Sequence, residues 1–252
     1  MSRNKSFLSG EKPLLVSMLQ ADTPDGIKTL ADLSIAGGAD ALGMQFCRLK
    51  PEYKNEKTYR EILSYAEEKP VYVTNYRYDT NEGMSDDLLG EGLLSLASYG
   101  ATLCDIMGDL YDKCEGELTM NEAAVRKQMR LIDDLHKRGA EVLMSSHVLK
   151  FTPAERVLEI ALEQKRRGAD ICKIVTGAET VAEEIENLRI IDLLKRELSI
   201  PFLFLSGGEA RLLRRVGATL GNRMTLCVCR HDTFSTPLQP LLSDMRILND
   251  VL

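Results

Sequence analysis

The chain predicts a (β/α)8 barrel, an α/β fold filling residues 1–252 as one domain. Three observations carry that expectation. Eight short apolar runs are spaced along the chain, each too short for a helix of ordinary length and rich in residues that suit a strand buried on both faces. Amphipathic helical stripes lie between them, so strand and helix alternate throughout, the pattern of a parallel sheet with right-handed crossovers. A glycine-alanine pair recurs at the helix-to-strand boundary, in Gly38-Ala39, Gly100-Ala101, Gly139-Ala140 and Gly168-Ala169. Glycine suits the left-handed turn that ends a helix. A doubly wound open sheet is the competing arrangement; a count of eight runs in 252 residues favours closure into a barrel.

The predicted strands are Leu14–Leu19, Ala41–Phe46, Val71–Thr74, Thr102–Met107, Val142–Ser145, Ile171–Val175, Phe202–Leu205 and Met224–Val228. Between them, Leu88, Leu89, Leu93, Leu96 and Ala97 form one helical stripe, and Val125, Met129, Ile132 and Leu135 a second. Val157, Ile160, Ala161 and Gln164 form a third, and Val181, Ile185, Leu188, Ile191 and Leu194 a fourth. Pro24, Pro153 and Pro237 each follow a threonine, the pairing of a capping hydroxyl with a residue suited to the first helical turn. Residues 78–87 are the most loop-like stretch, placed after the third strand where barrels carry functional loops.

Composition removes several function classes. The net charge of −6 offers no general basic surface, which argues against nucleic acid and anionic membrane as partners. No apolar run approaches membrane-spanning length and the first residues are polar, so a cytoplasmic location is expected. The six cysteines include no Cys-x-x-Cys pair, and Cys104, Cys172, Cys227 and Cys229 fall in predicted strands, where buried reduced thiols are expected.

Position then points to chemistry. Lys173 interrupts the apolar run Ala169–Val175, and a lysine inside a buried strand is costly unless it is paired or put to use as an amine nucleophile. One crossover earlier, His147 closes the preceding run, so the two should stand on neighbouring strands as nucleophile and acid/base. The alternative is a structural lysine paired with Asp105 across the barrel. The remaining strand ends offer Ser17, Gln20, Asn75, Arg77 and Asp105. They also offer Ser206-Gly207-Gly208, a helix with Arg211, Arg214 and Arg215, and a final loop with His231, Ser235 and Gln239. Of the three arginines on one helix, at most two can face a common site. His136 ends a helix, where a solvated cap is expected, and His231 is a loop residue at the active face. The histidines are scattered and show no metal-ligand spacing. The set suits a small anionic keto substrate, its carboxylate held by arginine and its carbonyl attacked by lysine.

Two stretches carry a resemblance. Met144-Ser-Ser-His-Val-Leu-Lys-Phe-Thr-Pro153 and Gly168-Ala-Asp-Ile-Cys-Lys-Ile174 resemble, in order and spacing, the two signature segments of the type I 3-dehydroquinate dehydratases. The likeness runs from Pro13 to the C-terminus, and Ser235-Thr-Pro-Leu-Gln239 is similar to that family's substrate loop. The resemblance implies a Schiff base on Lys173 and proton transfer by His147, converting 3-dehydroquinate to 3-dehydroshikimate and water. No metal or organic cofactor is implied. It also implies substrate contacts from Ser17, Gln45, Arg77, Glu82, Arg215, Ser235 and Gln239, with a homodimer as the expected assembly. Three departures stand out: the family's Glu-x-Arg in the second strand reads Gly43-Met44-Gln45, an acid in the fourth strand is Met107, and the aspartate after the histidine is Val148. Three functions therefore compete: this dehydration, Schiff-base lyase or aldolase chemistry on another keto acid, and a barrel that binds without catalysing.

Overall fold

A computed structural model of the protein describes residues 6–66, 69–209 and 211–251. Eight parallel strands form one sheet: β1 (Leu14–Leu19), β2 (Ala41–Gln45), β3 (Val71–Thr74), β4 (Leu103–Met107), β5 (Glu141–His147), β6 (Ile171–Gly177), β7 (Phe202–Gly207) and β8 (Met224–Cys227). They are laid out β7-β6-β5-β4-β3-β2-β1-β8. Across the gap between β7 and β8, Arg223 N–H donates to Phe202 O (2.8 Å). The Asn222 side chain completes this edge: it donates to Phe204 O and accepts from Phe204 N–H, both at 2.8 Å. The eight helices are α1 (Pro24–Ala36), α2 (Glu56–Tyr65), α3 (Asp86–Ser98), α4 (Glu122–Lys137), α5 (Ala154–Arg166), α6 (Val181–Glu197), α7 (Leu213–Leu220) and α8 (Leu242–Val251). This is the predicted (β/α)8 barrel.

Strand alternation sorts the core into two layers. Val16, Met18, Tyr72, Leu103, Leu143, Ile171, Leu203 and Leu205 fill the barrel interior. Leu15, Leu19, Val71, Val73, Cys104 and Ile106 face the helices. Phe7 closes the interior from below, its segment held by Arg223, which donates to Phe7 O (2.5 Å), Gly10 O (3.0 Å) and Lys12 O (2.9 Å).

The local rules hold unevenly. Thr23 caps α1 ahead of Pro24 as expected, accepting from Gly26 N–H. Pro153 is itself the N-cap of α5, and Pro237 lies in a turn ahead of α8. Of the stripe assigned to α6, Ile191 and Leu194 are buried, but Val181 and Ile185 are 74% and 62% exposed. The loop after β3 is not loose: Asn81 is buried and donates to Asn75 Oδ1 (2.9 Å) and Tyr76 O (2.8 Å), and Thr80 donates to Cys47 O and Leu49 O. All six cysteines are free, with Cys114 and Cys229 half-buried rather than enclosed. Among the described residues no helix is long and apolar enough to cross a membrane.

Candidate active site

Lys173 sits on β6 at the same parity as Ile171 and Val175, so its side chain enters the barrel interior. Its Nζ donates to Tyr76 Oη (2.9 Å), Asp105 Oδ2 (3.0 Å) and Tyr72 Oη (3.1 Å). Both phenols also donate to Asp105 Oδ2, and Ser145 donates to Asp105 Oδ1 (2.6 Å). All five side chains of this cage are buried. Three acceptors match the three donors of an ammonium, which is how a buried charge is made tolerable. The pairing with Asp105 raised as an alternative is therefore present, with two tyrosines added. Burial, and then the charge of Asp105, raise both phenols well above the usual tyrosine value, so they remain O–H donors.

His147 stands higher in the barrel. On the β5–β6 ladder Ser145 pairs with Lys173, and His147 pairs with Val175, two residues toward the strand ends. Its Nδ1 lies 2.6 Å from Glu117 Oε2, and its own backbone N–H donates to the same oxygen (3.2 Å). A carboxylate on Nδ1 holds the ring in one orientation and leaves Nε2 as the working nitrogen. The Tyr76 ring packs edge-on against the imidazole, with centroids 5.7 Å apart. Tyr76 thus touches both centres, the amine through its hydroxyl and the imidazole through its ring.

A cavity of about 300 Å3 opens above, lined by Tyr76, Arg77, Met107, Lys113, Glu117 and His147 among others. That is a volume suited to a small ligand at the C-terminal face of a barrel. Glu117 reaches it from the β4–α4 loop with φ +49°, directly after Gly116 at φ +78°. Ser146 Oγ donates to Glu117 O (2.8 Å). At Gly108 an added Cβ would lie 2.5 Å from that same carbonyl, so the turn closes only over a glycine.

Several expected contacts belong elsewhere. Ser17 points outward, because Val16 and Met18 take the inward parity; its Oγ meets Ser34 Oγ of α1 at 2.7 Å. Glu82 is exposed in the turn before α3, and Glu117 is the acid against the histidine. Val148 packs with the apolar cluster under α5 and α6. Arg77 does line the cavity, but Asp86 grips it bidentately (2.6 and 2.8 Å) and Asp109 takes both of its terminal nitrogens. Burial works against its charge, and these carboxylates outweigh that and raise its pKa. Arg215 lies on the outer side of α7, donating to Arg211 O (3.0 Å). One residue earlier, Arg214 donates to Ser206 O (2.6 Å) at the end of β7, and burial pushes its guanidinium down to about 10. One residue is about 100° around a helix, enough to exchange these roles.

Gln45 ends β2 and accepts from Gln20 (3.1 Å) and from Arg48 (2.8 Å). Ser235 closes a turn with Asp232, and buried Gln239 closes another with Thr236. Their loop spans the barrel rim: Phe234 lies under Arg48, 5.8 Å from its guanidinium carbon, and Leu238 approaches Gly207. His231 is exposed in the same loop, and His136 pairs with Asp170 (2.8 Å) at the end of α4, on the outside of the barrel. Where Gly43 replaces an acid, an added Cβ would stand 2.2 Å from Met18 Sδ and 3.3 Å from Tyr72 Cδ1. The vacated space is filled by a thioether and a ring. Sequence reasoning assigned nothing to Glu117, Tyr72 or Tyr76. The parity of residues 72, 74 and 76 was a usable signal for the tyrosines, whereas a left-handed glutamate in a loop leaves none.

Comparison with known proteins agrees with this architecture. The family described as Type I 3-dehydroquinase matches residues 38–251. A 3-dehydroquinate dehydratase of Klebsiella pneumoniae is 26% identical over 99% of this chain and 97% of its own length. The crystal structure of a 3-dehydroquinate dehydratase from Geobacillus kaustophilus superposes with a TM-score of 0.81 at 17% identity, covering 98% of this chain and 95% of that one. A type I enzyme from Clostridium difficile, solved with covalently modified comenic acid, gives 0.79 at 15% identity over 97% and 94%.

Proposed function

The chain belongs to the type I 3-dehydroquinase family, and from that premise we propose that it is a carbon-oxygen lyase dehydrating 3-dehydroquinate through a lysine Schiff base. The single observation that carries this reading is Lys173, an amine inside the barrel on the strand next to His147 and linked to it by Tyr76. The Nζ attacks the ketone and the carbonyl oxygen leaves as water, giving an iminium that draws electrons from the neighbouring carbon. His147 takes a proton from that carbon and returns one to the departing hydroxyl, so a second water leaves and a conjugated iminium remains; one water then hydrolyses it, releasing the enone and restoring the Lys173 amine. Glu117 holds the imidazole in place through both protonation states. Among the described residues Lys113 lines the cavity without a carboxylate in ion-pair range, and Arg214 likewise has none. Lys113, on the cavity wall, replaces Arg77 and Arg215 as the proposed grip on the substrate carboxylate, with Arg214 at the end of β7 as a second candidate outside that lining.

Borohydride reduction in the presence of 3-dehydroquinate should add the mass of the reduced adduct to Lys173. Lys173→Ala should show neither adduct nor enone absorbance. A wild-type protein without an adduct at saturating substrate overturns the proposal. One observation favours a second reading: Met18 and Tyr72 fill the space beside Gly43, which suits a keto acid with fewer hydroxyls. A higher kcat/KM for such an acid than for 3-dehydroquinate would select it. A cytoplasmic location goes with either reading, as does a homodimer. Sedimentation equilibrium returning a monomer overturns the dimer alone.

A further inference from the structure

We propose that Tyr76 is the acid of imine formation, delivering a proton to the departing carbinolamine hydroxyl, while Asp105 stores the proton the lysine gives up. The proposal rests on the Schiff-base reading and divides its proton transfers between two centres. His147 is wired to Glu117 in the cavity, two residues further along β5 than the partner of Lys173. At the amine itself the groups in contact are Tyr72, Tyr76 and Asp105. Of the two phenols only Tyr76 also lines the cavity through which a substrate arrives. Its hydroxyl, 2.9 Å from Nζ, is therefore the O–H that a carbinolamine on that nitrogen would meet first.

The balance closes within the cage. The ammonium of Lys173 passes one proton to Asp105 Oδ2, 3.0 Å away, and the free amine attacks the ketone carbon. As the C–N bond forms, the amine gives a second proton to the former carbonyl oxygen, producing a neutral carbinolamine. Tyr76 then donates its proton to that hydroxyl, the C–O bond breaks, water leaves and the iminium retains one N–H. The tyrosinate recovers its proton from Asp105 along their existing hydrogen bond. The net change is ammonium plus ketone to iminium plus water, with Tyr76 and Asp105 restored. Desolvation and the Asp105 charge keep the phenol in its O–H form, so its proton is in place when the C–O bond breaks.

The test is rapid-quench borohydride trapping with 3-dehydroquinate, timing adduct formation on Lys173 in wild type, Tyr76→Phe, Tyr72→Phe and Asp105→Asn, each checked for fold by circular dichroism. Tyr76→Phe keeps the ring against His147 and should slow adduct formation by about 100-fold. Conversion of substrate iminium already accumulated to the conjugated iminium, read as the water-lighter mass of the trapped adduct, should stay near the wild-type rate, a split that loss of packing would not produce. Asp105→Asn should slow the same step, and Tyr72→Phe should slow it by a smaller factor. Adduct formation at the wild-type rate in either Tyr76→Phe or Asp105→Asn overturns the proposal while leaving the Schiff base standing. No adduct in the wild type overturns both.

Discussion

The lysine and the histidine share a barrel but not an environment. Lys173 is 5% exposed and bonded on all three donors, below the cavity; His147 has one nitrogen anchored and one free, on the cavity wall. The amine is kept from water, where an exposed nucleophile would be solvated. The imidazole is held in orientation rather than sealed. A buried ion pair breaks at a cost of about 3–5 kcal/mol when one partner is removed, so the cage holds the amine at one point. The glutamate on His147 aims the ring without enclosing it. On the proposed reading the lower centre forms the imine and the upper one moves the proton at carbon, and variants should separate them.

The largest effect expected at the upper centre alone comes from His147→Gln. Turnover should fall by roughly 10²–10⁴, the usual contribution of a positioned acid/base. Borohydride should still label Lys173, because the cage does not depend on His147. Loss of labelling in this variant would break the comparison and make the two centres one. Mass spectrometry after reduction, alongside the enone assay, decides it.

Glu117→Gln should cost less, about 10–100-fold in kcat, the range for groups that orient an imidazole they touch. Gly108→Ala should act in the same direction although it lies outside the cavity lining, because its methyl would meet Glu117 O at 2.5 Å and displace the turn. Steady-state kinetics on both, with labelling of Lys173 as control, sharpen the contrast; equal losses in labelling and turnover would remove it.

These residues also show what a sequence makes legible. The strands were, since apolar runs and glycine-alanine boundaries mark them: β1 and β3 match to the residue, β6 extends two residues further toward the site, and β5 extends one residue at its start and two at its end. The placement of Lys173 and His147 on adjacent strands followed from one crossover length. Glu117 was not legible, because its reach depends on two consecutive left-handed residues within a loop. Arg214 against Arg215 is a matter of helical phase, which a run of three arginines within five residues does not disclose. The cage was half legible: Asp105 could be named as a partner, whereas Tyr72 and Tyr76 required the inward parity of β3 to be followed past its last ladder residue.

Ser17 gives the smallest effect and the cleanest discrimination. Its resemblance-based role was substrate contact, and its observed role is structural: Ser34 already donates to Leu30 O (2.6 Å), so Ser17 is the donor to Ser34 Oγ. Ser17→Ala removes that one bond, and the Ser34 hydroxyl keeps its own acceptor. The cost should be about 1 kcal/mol, the net value of a typical buried hydrogen bond, or a fall of roughly 2–4 °C in Tm for a chain of this length. Parameters kcat and KM should stay at wild-type values, since the side chain faces α1 and the cavity lies on the other side of β1. A rise in KM without loss of stability would mean that Ser17 turns inward when ligand binds, and the division between a barrel interior that does chemistry and an outer layer that only packs would fail at this strand.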